Sequence, residues 1–175
     1  MTLWVFGYGS LLWNPGFVPV EKEIATLQGY ARSFCMRSIH HRGTEEDPGL
    51  VLALDKIADS NCDGMAFRVK SGEEDQVLGE LRERELISSA YYEDRVSLDL
   101  KSGNQIEAVA YIIDPEHVQY CSLELETQAQ IIASAVGGRG PNHEYLFNTA
   151  DHLNEVGLED ADLNWLSRRV RALMG

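Results

Sequence analysis

Cysteine is scarce in this 175-residue chain, and so are proline and long apolar runs. The three cysteines, Cys35, Cys62 and Cys121, stand far apart with no CxxC spacing. That excludes a zinc ribbon or a dithiol redox motif and fits reduced, buried thiols in a cytosol-type compartment. No stretch approaches the roughly 20 apolar residues that span a bilayer. The opening Met-Thr-Leu-Trp-Val-Phe carries neither a basic n-region nor a cleavage site. We therefore expect no membrane insertion and a cytoplasmic location. Positive charge is also short: 15 Lys and Arg against 28 Asp and Glu leave a net charge of −13, a field that repels nucleic acid. An anionic small-molecule ligand then needs a locally basic site, for which Arg32, Arg37, Arg42 and the adjacent His40 and His41 are candidates. A solvated basic loop among acidic neighbours accounts for the same residues equally well.

What is present is ordinary globular material, 44% hydrophobic and 25% charged, enough to bury a core without a metal or disulfide staple. Short β-branched and aromatic runs at 3–6, 24–30, 33–38, 50–54, 65–69, 95–100 and 107–113 read as strands separated by Gly, Pro, Asp or Asn. One helical segment, 73–86, interrupts them. After Pro115 the period becomes helical, over 123–135, 143–153 and 158–173. The last is a basic amphipathic helix, expected to pack on the barrel. Without repeats or linkers, these elements predict a single α+β domain over 1–175: a small mixed β-barrel of six or seven strands with surrounding helices.

The segment VFGYGSLLWNPGF places Gly-Tyr-Gly-Ser directly after the first strand. A dinucleotide fold would need a third glycine where Leu12 stands and a helix opening from the turn, which Asn14-Pro15-Gly16 opposes. Ser10 lacks the G-x-S-x-G frame of a nucleophile elbow. What remains is a turn whose N–H groups at Gly9, Ser10 and Leu11 can converge on one anion, a nest suited to a carboxylate. A plain Gly-rich turn is the alternative.

On the 73–86 helix, a 100° step puts Leu78, Leu81 and Glu85 on one stripe, with Glu80, Glu83 and Arg84 turned away. A carboxyl facing the core loses hydration, which raises its pKa toward values useful for proton transfer. A helix-end Glu that stays in solvent or pairs with a neighbouring Arg is the other reading.

Five collinear blocks together resemble the ChaC family of glutathione-specific γ-glutamylcyclotransferases: VFGYGSLLW at 5–13, HRG at 41–43, GMAFR at 64–68, RELISSAY at 84–91 and GGRGPNHEYL at 137–146. The resemblance implies a cyclotransferase-like barrel. It also implies release of 5-oxoproline, and of Cys-Gly from glutathione, by attack of the substrate's α-amine on its own γ-carbonyl, without metal or cofactor. It places the catalytic glutamate at Glu85 and the γ-glutamyl site at Tyr8, Gly9, Ser10 and Leu11. Tyr91, Asn142 and Tyr145 then line the pocket, and Arg37, His41 and Arg42 face the peptide end of the substrate. A metal pair at His40 and His41 is not expected, since adjacent strand residues point to opposite faces. Leu50, Leu86, Ser89 and Glu93 depart from the family pattern without removing a group the reaction needs. Ring closure on other γ-glutamyl compounds and a non-catalytic γ-glutamyl-binding role are the alternatives.

Overall fold

A computed structural model describes residues 2–86 and 88–175. The chain resolves into two compact units, each assembled from two chain segments: Met1–Arg32 with Leu54–Val118, and Ser33–Ala53 with Gln119–Gly175.

The first unit is built on a closed barrel of β1 (Trp4–Gly7), β2 (Glu21–Ser38), β3 (Gly49–Arg68), β4 (Tyr91–Leu100) and β5 (Gln105–Ile113), in the order β1-β3-β2-β4-β5. β1 pairs antiparallel with β3, from Trp4 opposite Arg68 to Gly7 opposite Met65, and parallel with β5 through Val5 and Val109. Alternate residues of all five strands, among them Phe6, Leu27, Leu54, Ala66, Leu98 and Ile112, form one buried cluster. That is what a period of two demands when one strand face lines a core. The opposite faces of β1 and β5 are buried as well. Val5, Val109 and Tyr111 pack with Leu11, Val77 and Leu81 in a second cluster. Val77 and Leu81 come from α2 (Glu74–Glu85), so this cluster is what seats that helix, with about 1.5–3 kcal/mol for each fully buried aliphatic side chain.

The barrel has five strands rather than the expected six or seven because two pairs of expected strands are continuous. Residues 24–30 and 33–38 belong to β2, and 50–54 and 65–69 to β3. Two residues with positive φ, Gly29 at φ +84° and Asp59 at φ +67°, lie inside these strands, where a single left-handed residue bends a strand without ending it. The 73–86 helix is observed within one residue of expectation. The region after β1 needs correction: Ser10–Trp13 forms one helical turn, α1, where no helix was expected, and Asn14 ends it at once.

In the second unit, α3 (Leu125–Ser134), the two-residue strands β6 (Val136–Gly137) and β7 (Gly140–Pro141), α4 (Asn142–Glu155) and α5 (Ala161–Met174) accompany the 33–38 end of β2 and the 49–53 end of β3. Asp160 caps α5 by accepting the Leu163 N–H at 3.1 Å. The stripe Leu163, Leu166 and Val170 is buried. It packs on α3 and α4, where the sequence pointed to the barrel, and Arg169 grips Glu126 of α3 at 2.7 Å.

Candidate active site

The turn after β1 is shaped by Gly7. A Cβ there would lie 3.0 Å from the Phe67 ring and 3.2 Å from the Leu12 nitrogen, so any side chain would crowd the close return of α1. The first bond within α1 runs from the Leu12 N–H to the Gly9 carbonyl at 2.8 Å. The N–H groups of Gly9, Ser10 and Leu11 therefore precede any intrahelical bond, as at every helix start. A Cβ on Gly9 would meet no heavy atom within 4 Å, so the turn is open on that side. Of the four residues expected to hold a ligand here, Tyr8 and Leu11 bury their side chains in the two clusters. The Tyr8 carbonyl is in turn held by Arg32, a buried arginine of β2 whose Nε donates to it at 2.7 Å and whose Nη2 donates to the Asp63 carbonyl.

Glu85 is the last residue of α2, and its side chain is only 17% exposed. Burial raises its pKa above the ordinary carboxyl value, with Arg84 opposing the shift. Val77 and Leu81 are fully buried and Leu78 partly, so the stripe named from the sequence is the buried face, whereas Glu83 is exposed. Arg84 does not turn away from Glu85, however. Its Nε lies 3.6 Å from Glu85 Oε1, while Nη1 donates to the Asn14 carbonyl at 2.7 Å and Nη2 to Ser10 Oγ at 3.0 Å. The helical wheel missed this because a long side chain at a helix end goes where its donors are satisfied.

A second carboxyl behaves in the opposite way. Glu93 of β4 accepts both Arg82 Nε and Nη2 at 2.9 Å and the Tyr111 hydroxyl at 3.0 Å. The Arg82 hydrogen bond, then that of Tyr111, holds its pKa below the ordinary value against the effect of burial. Burial first and the Glu93 bond second push the Tyr111 hydroxyl well above its usual range. Glu85 also acts on Tyr111 electrostatically, so the two carboxyls flank one neutral phenol. Neither Glu93 nor Tyr111 was singled out from the sequence as a site residue. Tyr91, which was, is half-buried at the start of β4 opposite Ile113.

The remaining candidates belong to the second unit. Asn142 is fully buried and pairs with Leu50 as a strand residue would, accepting its N–H at 2.8 Å and donating to its carbonyl at 2.8 Å. The Tyr145 hydroxyl accepts the Leu52 N–H at 3.1 Å, and its ring packs edge-on to Phe34. Arg42 stacks over Tyr145 at 5.8 Å, donates to the Pro141 carbonyl at 3.1 Å and lies 3.9 Å from Glu144. His41 is exposed, and partial burial first, then the neighbouring Arg139, lowers its pKa. Arg37 is half-buried, and its main chain pairs with Gln119 in both directions. Among the described residues no three His, Cys, Asp or Glu side chains gather as a metal site would require.

The chain is similar over nearly its whole length to known proteins. Over 98% of this chain and 74% of its own length, the "Glutathione-specific gamma-glutamylcyclotransferase" of Escherichia coli is 38% identical. Over 98% and 83%, the "Gamma-glutamylcyclotransferase 2-1" of Arabidopsis thaliana is 35% identical. A crystal structure of a yeast γ-glutamyl cyclotransferase specific to glutathione superposes with a TM-score of 0.84 at 22% identity, covering both chains completely, and so shares the fold. With the family model for ChaC-like proteins matching residues 3–173, the chain belongs to the ChaC-like family.

Proposed function

We propose that this chain is a γ-glutamylcyclotransferase that cleaves glutathione to 5-oxoproline and Cys-Gly, with Glu85 as its general acid and base. One observation carries the reading: Glu85 is a desolvated carboxyl with a raised pKa at the end of α2, tied through Arg84 to the open turn at 8–11. The N–H groups of Gly9, Ser10 and Leu11 receive the substrate's α-carboxylate. The α-amine then attacks the γ-carbonyl carbon, closing a five-membered ring as the amide C–N bond to cysteine breaks. Glu85 accepts the proton lost by the attacking nitrogen and returns it to the departing one, so no proton is gained or lost overall. Because the nucleophile is already attached to its target, the protein's task is to hold the folded near-attack conformer and to support the developing oxyanion.

We read residues 1–175 as one functional domain. The interleaved chain segments of the two units and the match over 3–173 support this. A cytoplasmic location is supported by the free cysteines among the described residues. No helix among those residues is long and apolar enough to cross a membrane.

The test is 5-oxoproline release from glutathione. Glu85→Gln keeps the side-chain shape but cannot carry the proton, and should lose on the order of 10²–10⁴ in kcat while still binding glutathione. Turnover at the parent rate would end the assignment. Gly9→Val, at a position with space for a side chain, should fold and raise KM by obstructing the nest. An unchanged KM would remove the 8–11 turn from the site.

A further inference from the structure

We propose that Arg84 is a positioning residue, a tie that fixes the turn after β1 at one distance and angle from the carboxyl of Glu85. The inference rests on the reading of Glu85 given above. A guanidinium presents its donors in a rigid plane, so an arginine that satisfies two acceptors has little freedom left for its third edge. Arg84 meets the Asn14 carbonyl and Ser10 Oγ with its two terminal nitrogens and turns Nε toward Glu85. At 3.6 Å the last contact is an ion pair and too long for a hydrogen bond. Arg84 therefore aims the carboxylate without occupying the lone pairs that must receive a proton.

The acceptor end of this tie is itself stiff. Pro15 has a fixed φ. Gly16 sits at φ +82°, where a Cβ would already touch Arg84 Nη1 at 3.8 Å. Phe17 packs on the cluster that seats α2 and meets Phe67 edge-on. The turn that would hold the substrate's anion and the helix that carries the base are thus linked by one side chain across 74 residues of sequence. Arg84 also places a fixed positive charge beside Glu85, where the substrate's own carboxylate must approach.

The experiment compares kcat and the pH profile of kcat/KM for Arg84→Met, Arg84→Lys, Ser10→Ala and Glu85→Gln, with Glu83→Gln as an exposed control on the same helix turn. Melting temperatures are measured alongside. The charged or titratable groups facing Glu85 are Arg84 of its own helix and Tyr111 of β5, whose phenol stays neutral through the range concerned. Arg84 opposes the raised pKa of Glu85, so its loss should move the acid limb of the profile to higher pH. We expect Arg84→Met to lose kcat by about tenfold to a hundredfold, the scale of a small misplacement at a reacting centre, with that limb displaced. Arg84→Lys should return the limb to its place but recover kcat only in part, since a single ammonium nitrogen lacks the rigid planar fork with which Nη1 and Nη2 meet the two acceptors. Ser10→Ala should lower kcat several-fold and leave the limb unmoved. Wild-type kcat in Arg84→Met overturns the proposal, as does a loss matched by lower melting with the limb in place. If Glu85→Gln is fully active, the carboxyl reading fails and the tie has nothing to aim. If Glu85→Gln is inactive while Arg84→Met behaves as the parent, only the tie is refuted.

Discussion

Asn142, at the first turn of α4, is fully buried and has both ends of its amide engaged by Leu50, whereas Glu85, at the last turn of α2, keeps 17% of its side chain exposed and has an ion pair at 3.6 Å. Both are polar groups held away from water, and each would be costly there without compensation. At α4 the compensation is complete: the amide replaces a missing strand neighbour, and Tyr145 and Arg42 extend the same network. At α2 it is partial, and the remainder shows as a raised pKa. The difference teaches how to sort polar residues that share a motif. A satisfied group maintains the fold, while an enclosed group with capacity left over is equipped for chemistry.

The largest effect that could break this contrast is on catalysis. Glu85→Gln should cost on the order of 10²–10⁴ in turnover without loss of stability. The folded pKa of Glu85 lies above its unfolded value, so between the two the folded state holds the extra proton and stability falls as pH rises. Gln carries no such penalty, and the variant should gain on the parent in denaturation as pH passes through that window. A variant that melts lower at neutral pH would make Glu85 a structural partner of Arg84 instead.

Asn142→Ala should do the reverse, leaving the Leu50 N–H and carbonyl buried without partners and costing about 2–4 kcal/mol in chemical denaturation. A loss of kcat/KM with stability intact would return Asn142 to the pocket. Arg42→Ala, which removes a ring contact, a carbonyl bond and a long ion pair, should lower stability by about 1–2 kcal/mol. A raised KM for glutathione with unchanged melting would instead give Arg42 to the substrate.

The smallest effect sharpens the comparison inside the first unit. Glu93 has a folded pKa below its unfolded value, so its contribution is present above the unfolded pKa and disappears as pH falls through the folded one. Glu93→Gln should therefore be less stable than the parent near neutrality, by at most about 1 kcal/mol given how exposed Arg82 is. The two should converge in acid. A difference independent of pH would mean that shape, not charge, holds Arg82 and Tyr111.

Much of this was legible in the chain because the relevant signals are local. Leu78, Leu81 and Glu85 share a helix face by periodicity alone, and the β-branched and aromatic run at 107–113 announces a strand. What escaped was non-local. The direction of Arg84 depends on Ser10 and Asn14, far away in sequence, and the employment of Asn142 depends on Leu50. The lengths of β2 and β3 escaped for a different reason. The stretch 55–64 carries Asp, Asn and Gly like a turn, and only the surrounding pairing decides whether a left-handed residue such as Asp59 ends a strand or bends it.

The amide of Asn142 closes a span of 92 residues, and that span has a meaning on the ribosome. Once Val118 has emerged, every segment of the first unit is available, whereas 33–53 must wait for the chain beyond Gln119. Late contacts between distant segments delay folding, so synthesis itself sets an order, barrel first and helices after. A nascent chain stalled once Val118 has cleared the exit tunnel should protect 54–118 from protease while 33–53 remains open to cleavage. Equal protection of both would dissolve that order.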